Sequence, residues 1–185
     1  NKSEIRKKIF QLRKKNYFKN LSINSSQLLK FLAKKKIKNK IIGGYYPYNY
    51  EINTLDILKE LEKKNYLISL PKISKNYKMN FYQWSFKDPL LVNTYGIPEP
   101  ISKKKINPEI LLIPLVAYDN QLNRLGYGGG FYDRYIANQK KYEKIIKIGL
   151  GFSFQKIDKL PINEYDKKLD YILTEKGFIQ WEFYF

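Results

Sequence analysis

The eight residues Ile110-Leu111-Leu112-Ile113-Pro114-Leu115-Val116-Ala117 contain no polar break. A run this short and this apolar predicts a strand covered on both faces, hence a sheet with helices packed on either side. Seven residues later comes Arg124-Leu125-Gly126-Tyr127-Gly128-Gly129-Gly130-Phe131-Tyr132-Asp133-Arg134-Tyr135, where four of the ten glycines fall inside five positions. Glycine at that density means positive φ or close approach of the backbone to something. From Phe131 to about Lys141 the spacing predicts a helix, with Tyr132, Tyr135, Ile136 and Gln139 on one face. Strand, glycine loop and helix together aim free N–H groups and a positive helix end at an anion. A mobile surface turn would not need Arg124 on one side and Asp133-Arg134 on the other. The dinucleotide pattern G-x-G-x-x-G is excluded because Phe131 stands where its last glycine belongs. The Walker pattern is excluded because Phe131 and Tyr132 follow Gly130 in place of Lys-Ser/Thr.

The rest of the chain supplies the layers. Ser3 to Lys19 is predicted as a helix capped by Ser3, burying Ile5, Ile9, Leu12 and Phe18. Ser22 or Asn24 opens a second helix through about Lys36. Lys40 to Pro47 reads as the first strand, Thr54 as the cap of a helix through Asn65, and Tyr66 to Leu70 as a second, parallel strand. Lys78 to Trp84 alternates enough to be a further, antiparallel strand. Ser85 to Pro108 is punctuated by proline, and Tyr95-Gly96-Ile97-Pro98-Glu99-Pro100 reads as loop. Lys144 to Phe152 is another buried strand, with Gln155 in the loop after it, and Leu169 to Thr174 a short last one. The expected fold class is α/β, a three-layer α/β/α sandwich with a mostly parallel central sheet, formed by residues 1–185 as a single domain.

Composition removes whole classes of chemistry. The chain has no cysteine and no histidine, which excludes disulfides, thiolate metal sites, Ser–His triads and imidazole bases. A metal here would be held by oxygen, favouring magnesium. No apolar stretch is long enough to span a membrane and no signal-peptide pattern is evident, so a cytoplasmic protein with no membrane partner is expected. The net charge of +18 invites a nucleic-acid reading. The basic residues are mostly lysines scattered end to end, in a chain also rich in Asn, Ile, Tyr and Phe. That pattern fits a solvated surface under A/T coding bias, and no specific nucleic-acid partner is expected.

Ala117-Tyr118-Asp119-x4-Arg124-Leu125-Gly126-Tyr127-Gly128-Gly129-Gly130-Phe131-Tyr132-Asp133-Arg134-Tyr135, with Ile113-Pro114 ahead of it, resembles the signature of the 5-formyltetrahydrofolate cyclo-ligase family. Other pieces fall in the family's order: Lys2-x3-Arg6, Tyr46-Pro47-x3-Glu51, Leu70-Pro71, Gly96-x2-Glu99-Pro100, Leu160-Pro161, Asp166, Leu169-Asp170 and Thr174-Glu175. The resemblance implies ATP-driven closure of 5-formyltetrahydrofolate to 5,10-methenyltetrahydrofolate, with ATP as co-substrate and Mg²⁺ as cofactor. It implies that Lys2, Arg6 and Arg124 through Tyr132 hold the nucleotide, with Arg124 and Tyr132 catalytic. Tyr46, Glu51 and Tyr127 to Phe131 would bind the folate, and Asp133 and Asp166 would ligate the metal. Many members place a histidine before the aspartate matched to Asp166; this chain has Tyr165. A monomer or weak dimer is expected.

Each residue also has a plainer reading. Lys2 and Arg6 form an i, i+4 pair such as any basic surface helix carries. Glu51 sits just ahead of a helix, where a carboxylate favours the dipole. Asp133 in a first helical turn could be a cap. A small kinase-like ATP enzyme, or a basic RNA-associated protein on the same scaffold, remain the alternative functions at this stage.

Overall fold

The computed structural model describes residues 1–38, 40–139 and 145–181, without the side chain of Phe18. Its elements run α1 (Lys2–Asn16), α2 (Ser25–Lys34), β1 (Ile41–Gly43), α3 (Leu55–Lys63), β2 (Leu67–Ile73), β3 (Met79–Gln83), β4 (Leu90–Val92) and β5 (Pro98–Pro100). They continue with β6 (Lys105–Ile106), β7 (Ile110–Pro114), β8 (Ala117–Tyr118), β9 (Arg124–Leu125), α4 (Phe131–Asn138), β10 (Ile146–Leu150), β11 (Tyr171–Thr174) and β12 (Gly177–Gln180).

Among the described residues, eight strands make the main sheet in the order β12-β11-β10-β7-β1-β2-β3-β6. The five in the middle are parallel, and the outer ones turn antiparallel. The apolar run sits at its centre. Alternation along β7 sends Ile110 and Leu112 into the core shared with Leu28 and Leu32 of α2 and Ile57, Leu58 and Leu61 of α3. Leu111 and Ile113 face the other way, against Tyr135 of α4, Phe81 and Ile172. Both faces are therefore covered, giving the three-layer α/β/α arrangement with a mostly parallel sheet. No described helix is long and apolar enough to cross a membrane.

Several boundaries differ from the sequence expectation, each for a local reason. Helix α1 is capped by Asn1, not Ser3: Asn1 accepts from the Glu4 N–H, and Glu4 closes a capping box on the N-cap backbone. The helix yields to a 3₁₀ turn over Tyr17–Lys19. Thr54 does not cap α3 with its side chain; its hydroxyl instead donates to the Tyr45 carbonyl at 2.6 Å. Pro98–Pro100 is a strand, not loop, because β5 pairs only with β4 in a two-stranded ribbon where proline's missing donor does little harm. The expected strand over 110–117 divides at Leu115, and Ala117–Tyr118 pairs with Arg124–Leu125. A strand beyond the expected last one, β12, folds back on β11. Helix α4 reaches Asn138; the expected extension to Lys141 and the strand start at Lys144 lie outside the described residues.

Candidate functional site

The loops at the carboxyl ends of β1, β2 and β7, with α1 laid across them, enclose a cavity of about 830 Å³. In an open α/β sheet this is where ligands bind. Its lining includes every residue singled out from the sequence: Lys2, Arg6, Tyr46, Glu51, Arg124 through Tyr132, Asp133 and Asp166.

The glycine loop is placed by the turn before it. Asp119, 1% exposed, accepts from the N–H groups of Gln121, Asn123 and Leu160 and from the Asn123 side chain. That web folds residues 119–123 back so that β9 runs antiparallel to β8 and delivers Arg124 into the cavity wall. Beyond it, Gly128 has φ 107° and Gly130 φ 65°, conformations costly to any residue with a Cβ. Gly130 is the N-cap of α4 and makes no side-chain capping bond. The first-turn N–H groups are thus left facing the cavity, a ready anion cradle.

The cations and carboxylates around the cradle are already matched. Arg124, its side chain 4% exposed, lies 2.8 Å from Asp133 Oδ1 and over the Tyr132 ring at 5.7 Å. The contact with Asp133 is an ion pair without hydrogen-bond alignment, and the Arg124 Nε has no partner either. Asp133 does not cap its own helix: its carboxylate accepts from the Lys167 N–H at 3.0 Å, tying α4 to the loop that carries Asp166. Lys2 Nζ lies 2.5 Å from Asp166 Oδ2, and Arg6 Nε donates to the Gly126 carbonyl at 2.8 Å. Arg134 donates to the Gly129 carbonyl at 2.7 Å.

Across the cavity stands Glu51. It follows a turn in which Asn49 and Tyr50 both have positive φ, 51° and 59°, a backbone held by the Thr54–Tyr45 bond. Its carboxylate accepts from the Tyr48 N–H at 2.8 Å and meets the Tyr127 hydroxyl. The residue is partly exposed to the cavity, yet enough protein surrounds the carboxyl that burial pushes it up to about 7, against the pull of Tyr127, the Tyr48 amide and Arg13. Burial, with the Glu51 charge beside them, holds the Tyr127 and Tyr132 hydroxyls well above the usual phenol range. Both are therefore proton donors at neutral pH, not bases. Asp133 and Asp166 offer an all-oxygen donor pair at the cradle end, chemistry that fits magnesium shared with phosphates. Among the described residues no group of three or more acidic side chains could hold a metal alone.

Some of the lining was not anticipated. The β4–β5 ribbon contributes Asn93, Tyr95, Ile97, Pro98 and Glu99, braced by Glu99 accepting from Asn93 Nδ2 and the Ile73 N–H. Arg13, under the loop, was missed although it continues the stripe of Lys2, Arg6 and Ile9 along one face of α1.

Comparison with known proteins identifies the family. A sequence model described as the 5-formyltetrahydrofolate cyclo-ligase family matches residues 1–175. A 5-formyltetrahydrofolate cyclo-ligase of Haemophilus influenzae is 33% identical over 154 residues, 79% of this chain and 80% of the relative. The solved 5,10-methenyltetrahydrofolate synthetase of Aquifex aeolicus superposes with a TM-score of 0.80 at 28% identity, covering 100% of this chain and 94% of that one. The synthetase of Mycoplasma pneumoniae does so with 0.70 at 25%, covering 98% and 99%. With the match running from α1 through the end of β11, and thus across every segment that walls the cavity, the chain belongs to the 5-formyltetrahydrofolate cyclo-ligase family.

Proposed function

We propose that residues 1–185 act as one domain that converts 5-formyltetrahydrofolate to 5,10-methenyltetrahydrofolate, consuming ATP in a magnesium-dependent reaction and releasing ADP and phosphate. Beyond family membership, the observation that carries this reading is the two-ended cavity: an uncapped helix start with cations at one end, and a carboxylate among aromatic rings at the other. A triphosphate suits the first end, and the paired N–H donors of a pterin edge suit Glu51 at the second.

In the reaction the formyl oxygen attacks the γ-phosphorus and ADP leaves, making an N5-methylidyne phosphate. The N10 amine then attacks that carbon, loses its proton, and the C–O bond breaks to free phosphate and leave the N5–C–N10 bridge. Such a sequence needs alignment and charge neutralisation more than a side-chain base, which accords with a chain without histidine or cysteine. Lys2, Arg6, Arg124 and the amides of 128–132 hold the phosphates. Tyr132, kept protonated, donates to an oxygen there. Asp133 and Asp166 would hold magnesium, whose charge offsets that developing on the phosphoryl oxygens.

The direct test follows the near-ultraviolet band of the methenyl product with and without ATP and magnesium. ATP consumed with no methenyl band would sink the proposal and point to a kinase-like enzyme. Asp133→Asn and Asp166→Asn are each expected to raise the magnesium needed for half-maximal rate by about tenfold, the low end for loss of a supporting metal contact. An unchanged magnesium dependence with a lowered melting temperature would make either carboxylate a structural partner of Arg124 or Lys2 only. Gly128→Ala forces a Cβ onto φ 107°, a strain of about 1–3 kcal/mol. Nucleotide affinity is expected to fall by roughly 5- to 150-fold, with little change in melting because the loop is exposed. Equal affinity in a titration would remove the cradle from the site.

A further inference from the structure

Helix α1 presents Lys2, Arg6, Ile9 and Arg13 at spacings of four, three and four, one stripe down one face. Lys2 and Arg6 line the cavity; Ile9 packs with Val116, Ala117 and Leu125. Arg13 does neither. It is 4% exposed, and among the described residues no carboxylate is ion-paired with it. Burying a charge this way costs several kcal/mol that only its own hydrogen bonds and ring contacts can offset.

Its contacts indicate the use. Nη1 donates to the Tyr127 hydroxyl at 2.5 Å, and Nη2 donates to the Leu115 carbonyl at the end of β7. The guanidinium also lies over the Tyr127 and Phe10 rings, 5.5 and 5.8 Å from their centroids, and those two rings stack. A guanidinium only donates. The Tyr127 oxygen is therefore the acceptor toward Arg13, and its single proton is left for the Glu51 carboxylate it meets on the other side.

We propose that Arg13 is a positioning residue for the folate: by donating to the Tyr127 hydroxyl it turns that hydroxyl's proton toward Glu51 and holds the Glu51 carboxyl aligned with the cavity. This rests on the reading of Glu51 as the pterin acceptor. The groups facing Glu51 are the Tyr48 amide on its own turn, Tyr45 at the end of β1, Tyr127 on the glycine loop, Tyr132 on α4 and Arg13 on α1. Arg13 is the cation among them that acts on the Glu51 carboxyl; Arg124 bears on Tyr132.

The test measures kcat/KM for 5-formyltetrahydrofolate against pH at saturating ATP, together with the KM for ATP and the melting temperature. For Arg13→Met the acid limb is expected to move up by about one pH unit, a tenfold loss on that limb, with the KM for ATP unchanged. Arg13→Lys, which keeps a charge without the fork, should recover most of the limb but not the folate KM. Tyr127→Phe should move the limb the same way, and the double variant Arg13→Met/Tyr127→Phe no further. If the limb stays in place while folate and ATP efficiencies fall together, Arg13 only supports the fold and the proposal is overturned. Should Arg13→Met not fold, Arg13→Lys and Tyr127→Phe decide between the same outcomes. Glu51→Gln separates the layers: if its folate profile equals that of the unsubstituted protein, the pterin reading fails, whereas a lost limb in Glu51→Gln with no shift in Arg13→Met fails this inference alone.

Discussion

Arg124→Ala is expected to lower turnover by about 10³-fold or more, the usual scale when a cation that steadies a transferring phosphoryl group is removed. Three features of the site support that size. The side chain is buried at the cradle's edge, where a charge is screened less than in open solvent. Its Nε has no partner and its contact with Asp133 lacks hydrogen-bond alignment, so the guanidinium's charge is not fully spent within the protein. It also stands over Tyr132 and beside Asp133, so in the proposed reaction one residue would link the nucleotide, a donor hydroxyl and a candidate metal carboxylate. Arg124→Lys keeps a charge but replaces a planar fork with a point, and a loss of roughly tenfold or more should remain. Because Asp133 loses a partner in both variants, melting temperature has to be measured beside the rate. A folded Arg124→Ala protein within about threefold of full kcat would take Arg124 out of the reaction.

The parts of this fold set by local pattern were legible before any coordinates. An unbroken apolar run can lie only between two covered faces, and β7 does so with strict alternation. The glycine loop, its strand and its helix follow from residues adjacent in the chain. Boundaries were lost where two local signals competed. Asn1-Lys2-Ser3-Glu4 offers two caps, and the one with its reciprocal acid three positions on, Asn1, wins. Prolines at 98 and 100 argue against a strand in a sheet's interior but not in a two-stranded ribbon.

The electrostatic pairing of the site was out of reach for a different reason. Lys2 and Asp166 are 164 positions apart, Arg124 and Asp133 meet only because the glycine loop between them turns back, and nothing in 35 basic residues marks which ones turn inward. Arg13 shows this most plainly. Its neighbours Lys14 and Lys15 are exposed, and only the phase it shares with Lys2 and Arg6 sets it apart from them. Gly129 makes the converse point: a Cβ there would stand 2.5 Å from the Phe131 ring and would have to displace it, so glycine is favoured by close approach, whereas its neighbours need it for positive φ.

Glu51→Gln is expected to cost about 1.5–3 kcal/mol in folate recognition, the value of a charge-assisted acceptor, or roughly ten- to more than a hundredfold in kcat/KM. Nucleotide binding should be spared, because the Glu51 carboxylate meets the Tyr48 amide and the Tyr127 hydroxyl and none of the cations at the helix start. The pH dependence gives the sharper signature. A carboxyl that burial pushes up to about 7 in the folded chain, from the ordinary 4.5 of a glutamate, leaves the folded state binding more protons than the unfolded one between those two values. Stability contributed by this group therefore falls as pH rises through that window, and the penalty is complete above about pH 7. Activity runs the other way, since only the ionised form accepts both pterin N–H groups. The free enzyme's kcat/KM for folate should drop close to tenfold per unit below that pH, while the melting temperature gains from the same protonation. Glutamine cannot titrate, so Glu51→Gln should lose both trends at once. A substituted protein that keeps the acid limb would assign it to another group and return Glu51 to the role of an acid at the start of a helix.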